Sequence, residues 1–206
     1  MPASTPSSEH TADSSVLRAT LRREKLALRM AQDKETRIAR SAQIEAHLAA
    51  LLLPLPPQTI SFCAPVRGEF DPSPLVALLI EHGWTAAMPI VDAADSAMCF
   101  RAWTPLSAMS VDRHGIPIPA SGPDIVPDIV LLPLLAFDAQ GFRLGYGGGY
   151  FDRTLAAMVP QPLSIGVGFE LARVADILPQ MHDIPLDAIV TEAGVTRHAQ
   201  DYRLLA

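Results

Sequence analysis

The chain has 206 residues, with Lys plus Arg at 16, Asp plus Glu at 22 and a formal net charge of −6. That length suits a single α/β domain with at most a short appendage. The acidic balance excludes a general nucleic-acid binder, whose affinity rests on Lys and Arg neutralising phosphates. A hydrophobic fraction of 49% and a mean hydropathy of +0.22 exclude a disordered chain. Cys63 and Cys99 are too few for a disulfide framework or a cysteine-rich metal site, and read as small buried apolar side chains. No apolar run reaches the roughly 18 residues that a transmembrane helix needs, so no membrane partner is expected. Residues 1–14 are polar and rich in Ser and Thr, with neither the basic nor the apolar segment of a leader. They are expected to be a disordered tail on a cytoplasmic protein, with 15–206 forming one domain.

Positive charge is concentrated near the start. Residues 16–40 carry eight basic side chains against three acidic ones, whereas 41–206 carry eight arginines, no lysine and 17 acidic residues. With Leu17, Leu21, Leu26 and Leu28 among good helix formers, 16–30 is predicted to be a basic helix. A second helix is predicted over 34–53, stopped by Pro54, Pro56 and Pro57. On composition alone the basic run is most simply a solvated helix face paired with the acidic body. An anion-binding role needs support from elsewhere in the chain.

Beyond the prolines, short apolar runs alternate with helical stretches. Strands are predicted at 59–65, 85–91, 98–103, 128–137, 163–169 and 188–191, and helices at 73–83 and 150–159. Strand, helix and strand in repeated order imply an open, mostly parallel sheet with helices on both faces, a three-layer Rossmann-like architecture. Ligands of such folds bind at the carboxyl ends of the strands.

One segment there carries chemistry: Arg143-Leu144-Gly145-Tyr146-Gly147-Gly148-Gly149-Tyr150-Phe151-Asp152. Its four glycines follow the strongest strand candidate and lead into a helix. Glycines let backbone approach a ligand closely, and a helix N-terminus offers free N–H groups to an anion. The segment is neither GxGxxG nor a P-loop, so on spacing alone an unliganded strand-to-helix turn serves equally well. Asp152, in the first helical turn, either favours the helix dipole or holds Mg²⁺ beside phosphates. Arg143 suits a phosphate, which a guanidinium can grip with two hydrogen bonds, or is a plain surface residue.

This segment resembles the signature of the 5-formyltetrahydrofolate cyclo-ligase family, also called 5,10-methenyltetrahydrofolate synthetases. Other motifs in the family's order support the resemblance: Arg18-Ala19-Thr20-Leu21-Arg22, Gly68-Glu69-Phe70-Asp71, His114-Gly115-Ile116-Pro117, and His182-Asp183 followed by Val190-Thr191-Glu192. The chain departs from the pattern at Gly148, where many relatives have Lys, at Phe151 in place of Tyr, and at Ile118. Arg173 stands near a usual Gln. The resemblance implies an enzyme that uses ATP and Mg²⁺ to convert 5-formyltetrahydrofolate into 5,10-methenyltetrahydrofolate, releasing ADP and phosphate. It also implies that the protein acts as a monomer. Residues Arg18 to Arg22 and Arg143 to Phe151 are then expected around ATP, with Arg143 and Tyr150 catalytic. Glu69 and Gly147 to Tyr150 are expected at the folate, and Asp152 and Asp183 at the metal. The alternatives are an ATP-dependent ligase or kinase for another small molecule, and an idle relative that only binds folate or nucleotide.

Overall fold

The computed structural model describes residues 8–198. Helices α1 (Ser8–Met30) and α2 (Lys34–Leu52) come first, followed by β1 (Thr59–Ser61), α3 (Ser73–Glu81), β2 (Thr85–Ile90) and β3 (Cys99–Trp103). A hairpin of β4 (Met109–Val111) and β5 (Pro117–Pro119) precedes β6 (Ile129–Pro133). Next come β7 (Ala136–Phe137), β8 (Arg143–Leu144), α4 (Tyr150–Ala157), β9 (Leu163–Val167), β10 (Ala188–Thr191) and β11 (Gly194–Arg197).

Seven strands form the main sheet in the order β11-β10-β9-β6-β1-β2-β3. The five inner strands are parallel, and β3 and β11 run antiparallel at the two edges. The architecture is therefore the open, mostly parallel sheet expected from the sequence. Its inner strands read as continuous apolar runs because both faces are covered. On β6, Ile129 and Leu131 join the core formed with Ile44 and Leu48 of α2 and Leu75 and Leu79 of α3. Val130 and Leu132 point the other way, toward Leu155 of α4 and Phe137, as the two-residue period of a strand requires. Asp33 caps α2 by accepting from the Thr36 N–H at 2.8 Å.

The chain leaves β1 for β2 on one side and later returns to β6 on the other. The crevice between β1 and β6 is thus the point where strand order reverses, and the loops after their carboxyl ends meet there.

Some boundaries differ from expectation. Helix α1 starts at Ser8, so 8–14 is helix rather than tail; no Pro or Gly lies between Ser8 and Met30 to stop it. Residues 1–7 of the expected tail lie outside the described residues. The predicted strand 128–137 is two strands, because the chain leaves the main sheet after Pro133 and pairs Ala136 and Phe137 with β8 instead. The predicted strand 59–65 ends its ladder at Ser61, although Phe62 still donates to the Ala87 carbonyl at 3.1 Å.

Leu48 is fully buried between α2 and the sheet. Leu48→Ala is expected to cost about 2 to 4 kcal/mol through lost burial and a residual cavity, read as a lower denaturation midpoint with an unchanged denaturant slope.

Candidate active site

Helix α1 lies across the carboxyl ends of the sheet, with Arg18, Arg22, Lys25 and Arg29 spaced four, three and four residues apart. That spacing puts all four on one helical face. Contrary to the solvated-face reading, this is the face turned inward: Arg18 is 6% and Arg29 5% exposed, while Val16, Leu17, Leu28 and Met30 face solvent. The four cations reach into the loops around the crevice. Lys25 Nζ donates to the carbonyls of Leu171 and Arg173, at 2.7 and 2.8 Å, beyond the end of β9. Arg29 donates to the Arg67 carbonyl after β1 and the Leu134 carbonyl after β6, at 3.0 and 3.2 Å. Arg22 Nε donates to the Gly145 carbonyl at 2.9 Å. Burial and the nearby Arg18 charge together lower the Arg22 guanidinium from its ordinary value.

The glycine segment is thereby held against α1. A side chain at Gly147 would meet the Arg22 guanidinium at 3.7 Å, and its φ of +99° suits glycine alone. Gly149, at φ +63°, is the N-cap of α4, whose first N–H groups have no intrahelical acceptor and face the loop. Arg153 donates to the Gly148 carbonyl at 2.6 Å and stacks on the Tyr150 ring, which His114 meets edge-on at 5.9 Å.

The carboxylates are paired with arginines. Arg18 grips both oxygens of Asp183, at 2.5 and 3.1 Å, and the Gln180 N–H adds a third bond at 2.7 Å. Burial alone works to raise the Asp183 carboxyl. The bonds from Arg18 and Gln180 outweigh it and hold the group below the ordinary carboxylate value. Arg143, 6% exposed, places Nη1 3.1 Å from Asp152 Oδ1 and donates to the Ile184 carbonyl at 3.0 Å. The Ile184 N–H bonds that same Asp152 oxygen at 3.1 Å. Glu69 accepts from the Val66 N–H at 2.9 Å and the Tyr146 hydroxyl at 2.7 Å, with Arg29 3.5 Å away. Burial pushes its carboxyl up, against the pull of these partners.

The structure thus gathers Arg18, Arg22, Arg143, the glycine loop, Asp152 and Asp183 at one place, and ties Glu69 to them through Tyr146. Within the expected nucleotide set, Leu21 and Leu144 instead fill a small core with Ala136 and Ile177. Ala19 faces solvent. Phe151 packs on the core beneath α4. Among the departures, Ile118 is buried, and Arg173 pairs with Glu170 and covers the Phe137 ring. Sequence reasoning missed Arg29 and Lys25, although their spacing from Arg18 and Arg22 was a signal in plain view.

Among the described residues, no group of three or more His, Cys, Asp or Glu could hold a metal ion. A Mg²⁺ bound chiefly by phosphate oxygens and water needs only one or two carboxylates. Asp152 fits that demand, since its recorded bonds use Oδ1 alone and its side chain remains 17% exposed. Asp183 fits less well: its side chain is only 5% exposed, Oδ2 already accepts from both Arg18 and Gln180, and Oδ1 is held by the same guanidinium.

A cationic helix laid over a glycine loop at the switch point of a doubly wound sheet defines the chain as a small α/β protein with a basic crevice at the carboxyl ends of its strands. The chain belongs to the 5-formyltetrahydrofolate cyclo-ligase family, whose model matches residues 11–192. A 5-formyltetrahydrofolate cyclo-ligase from Escherichia coli K12 is 32% identical over 146 residues, covering 66% of this chain and 79% of that protein. The NMR structure of an Aquifex aeolicus 5,10-methenyltetrahydrofolate synthetase superposes with a TM-score of 0.76 at 27% identity, covering 89% of this chain and 94% of the other. A Mycoplasma pneumoniae synthetase shares the fold at a TM-score of 0.69 and 24% identity, covering 85% and 98%. No helix among the described residues is long and apolar enough to cross a membrane.

The Arg18–Asp183 pair sets a pH dependence. A carboxyl held low in the folded state adds stability above its unfolded pKa, and that stability is lost as pH falls through the folded value. Asp183→Asn is therefore expected to cost about 3 kcal/mol at pH 7, leaving Arg18 buried without its partner. The gap to the unsubstituted protein should close as pH falls below the carboxylate range, which melting curves across pH would show.

Proposed function

We propose that this chain converts 5-formyltetrahydrofolate to 5,10-methenyltetrahydrofolate, with ATP cleaved to ADP and phosphate. The observation that carries the reading is the buried basic face of α1, delivered to a glycine loop beside the buried carboxylate Glu69. The formyl oxygen is a poor leaving group on a poorly electrophilic carbon. In the proposed route that oxygen attacks the γ-phosphorus of ATP and the bond to ADP breaks. N10 of the folate then attacks the activated carbon, loses its proton, and the C–O bond breaks to release phosphate.

The chain's part is positioning and charge stabilisation rather than covalent catalysis. Arg22 holds the phosphates at the glycine loop, where N–H groups of Gly147 to Tyr150 complete the cradle. Arg143 and Arg18 act beneath them: the first orients Asp152, and the second fixes the loop carrying Asp183. Glu69 receives the paired N–H groups of the pterin edge, and Tyr150 walls the folate beside the loop. Asp152 would hold Mg²⁺, which when bound with nucleotide neutralises charge on the terminal phosphates.

Purified protein given 5-formyltetrahydrofolate, Mg²⁺ and ATP should show an absorbance rise at the longer wavelengths of the methenyl product, and none without ATP. A flat trace despite binding of both ligands would refute the reading. Glu69→Gln should weaken folate binding about tenfold or more, the worth of a charged hydrogen bond, with nucleotide affinity kept. Equal loss of both would sink the pterin assignment. Asp152→Asn should lower turnover and flatten its Mg²⁺ titration.

A further inference from the structure

The glycine loop and Glu69 come from different parts of the fold, yet a single side chain joins them. Tyr146, inside the loop, donates its hydroxyl to Glu69 Oε1 at 2.7 Å and accepts from Arg29 Nη2 at 2.5 Å. Its ring is covered by the Arg67 guanidinium, 5.3 Å from the centroid. Arg67 sits at φ +50° beside Gly68 at φ +75°, in a turn closed by the Glu69 N–H on the Val66 carbonyl. A left-handed conformation is costly for Arg, and such strain persists only where its surroundings hold it. Here the Arg67 carbonyl is held by Arg29. The tyrosine is therefore gripped from the first helix, from the turn after β1 and from the carboxylate itself, while its backbone belongs to the loop.

Resting on the reading of Glu69 and the glycine loop given above, we propose that Tyr146 is a positioning residue for Glu69. It couples occupancy of the glycine loop by nucleotide to affinity for the folate. Glu69 is anchored on one oxygen by the Val66 N–H and on the other by Tyr146. Each carboxylate oxygen can accept two hydrogen bonds, so both keep a lone pair for a substrate's paired N–H groups. These grips all fall on the Tyr146 side chain, whereas its backbone lies in the glycine loop; phosphates that fix the loop hold the residue from its other end as well, and the carboxylate meets the folate already oriented. Ordering achieved by the first ligand is not paid again by the second, which is positive cooperativity. Burial, followed by the charge of Glu69, pushes the Tyr146 hydroxyl up to about 12, so it remains a donor at all ordinary pH. The charged and titratable groups around Glu69 are Arg29 on α1, Arg67 on the turn, Tyr146 on the loop and Cys63 after β1. Of these, the Tyr146 hydroxyl and the two arginines favour the ionised carboxylate.

The test is calorimetric titration of 5-formyltetrahydrofolate with and without a non-hydrolysable ATP analogue and Mg²⁺, on the full chain and on Tyr146→Phe and Glu69→Gln. In the unsubstituted protein the analogue should tighten folate binding about tenfold, the worth of one charged hydrogen bond held in place. Tyr146→Phe should bind the analogue as before, with the folate dissociation constant the same in its presence and absence. The acid limb of folate affinity should also move to higher pH in that variant, because Glu69 has lost a donor to its ionised form; a purely structural role would leave the limb in place. Absence of coupling in the unsubstituted protein, or coupling that survives Tyr146→Phe while Glu69→Gln binds folate weakly, overturns the inference alone. A Tyr146→Phe protein that loses the analogue also overturns it, since the hydroxyl would then serve the loop itself. Normal folate binding by Glu69→Gln would remove the underlying reading, and this inference with it.

Discussion

The Arg29 guanidinium uses its rigid fork to hold three separate loops. It donates to the carbonyls after β1 and β6 and to the tyrosine of the glycine loop, and it lies 3.5 Å from Glu69. Moving such an ion out of water costs several kcal/mol, offset only when its donors find acceptors. At Arg29 all three nitrogens do. A lysine would supply the charge but not the fixed planar geometry that reaches three acceptors at once. The fixed geometry of these bonds sets the two carbonyls, Tyr146 and Glu69 in place relative to one another.

The acidic chain and its basic helix now make one electrostatic picture. Three carboxylates of the site are each matched by an arginine: Asp183 by Arg18, Asp152 by Arg143 and Glu69 by Arg29. Arg22 and Lys25 donate only to carbonyls in their recorded contacts. Arg22 is the one placed at the glycine loop, with Arg18 and Asp183 near it, while Lys25 serves the segment after β9. Pairing the acids with arginines also keeps the site from repelling an anion, although the whole chain carries a net charge of −6.

The layered sheet was legible because its inner strands are buried on both faces and so read as unbroken apolar runs. The break after Pro133 was not, since the residues on both sides of it are equally apolar and only pairing with β8 separates them. At the site, the glycine loop and Asp152 stood out from local spacing, whereas Glu69 was singled out only through the resemblance of Gly68-Glu69-Phe70-Asp71 to the family's segment. Arg143 was read as a surface or phosphate-gripping side chain because its partner, Asp152, lies on the next helix and no local spacing reveals that pairing. Asp183 was read as a metal ligand for a related reason, its tie to Arg18 spanning nearly the whole chain. Arg29 was hidden differently: a helix that turns Arg18 and Arg29 inward and Leu17 and Leu28 outward defies the usual rule of amphipathic packing.

The central claim is that the inward face of α1 builds the anion site, and Arg22 is its most direct probe. Arg22→Gln keeps a side chain able to reach the Gly145 carbonyl while removing the charge. Titration with ADP is expected to show at least about tenfold weaker binding than in the unsubstituted protein, with a shallower dependence on salt, while melting temperature and folate affinity hold. Unchanged ADP affinity in that variant would contradict the account and place the phosphates somewhere other than against α1.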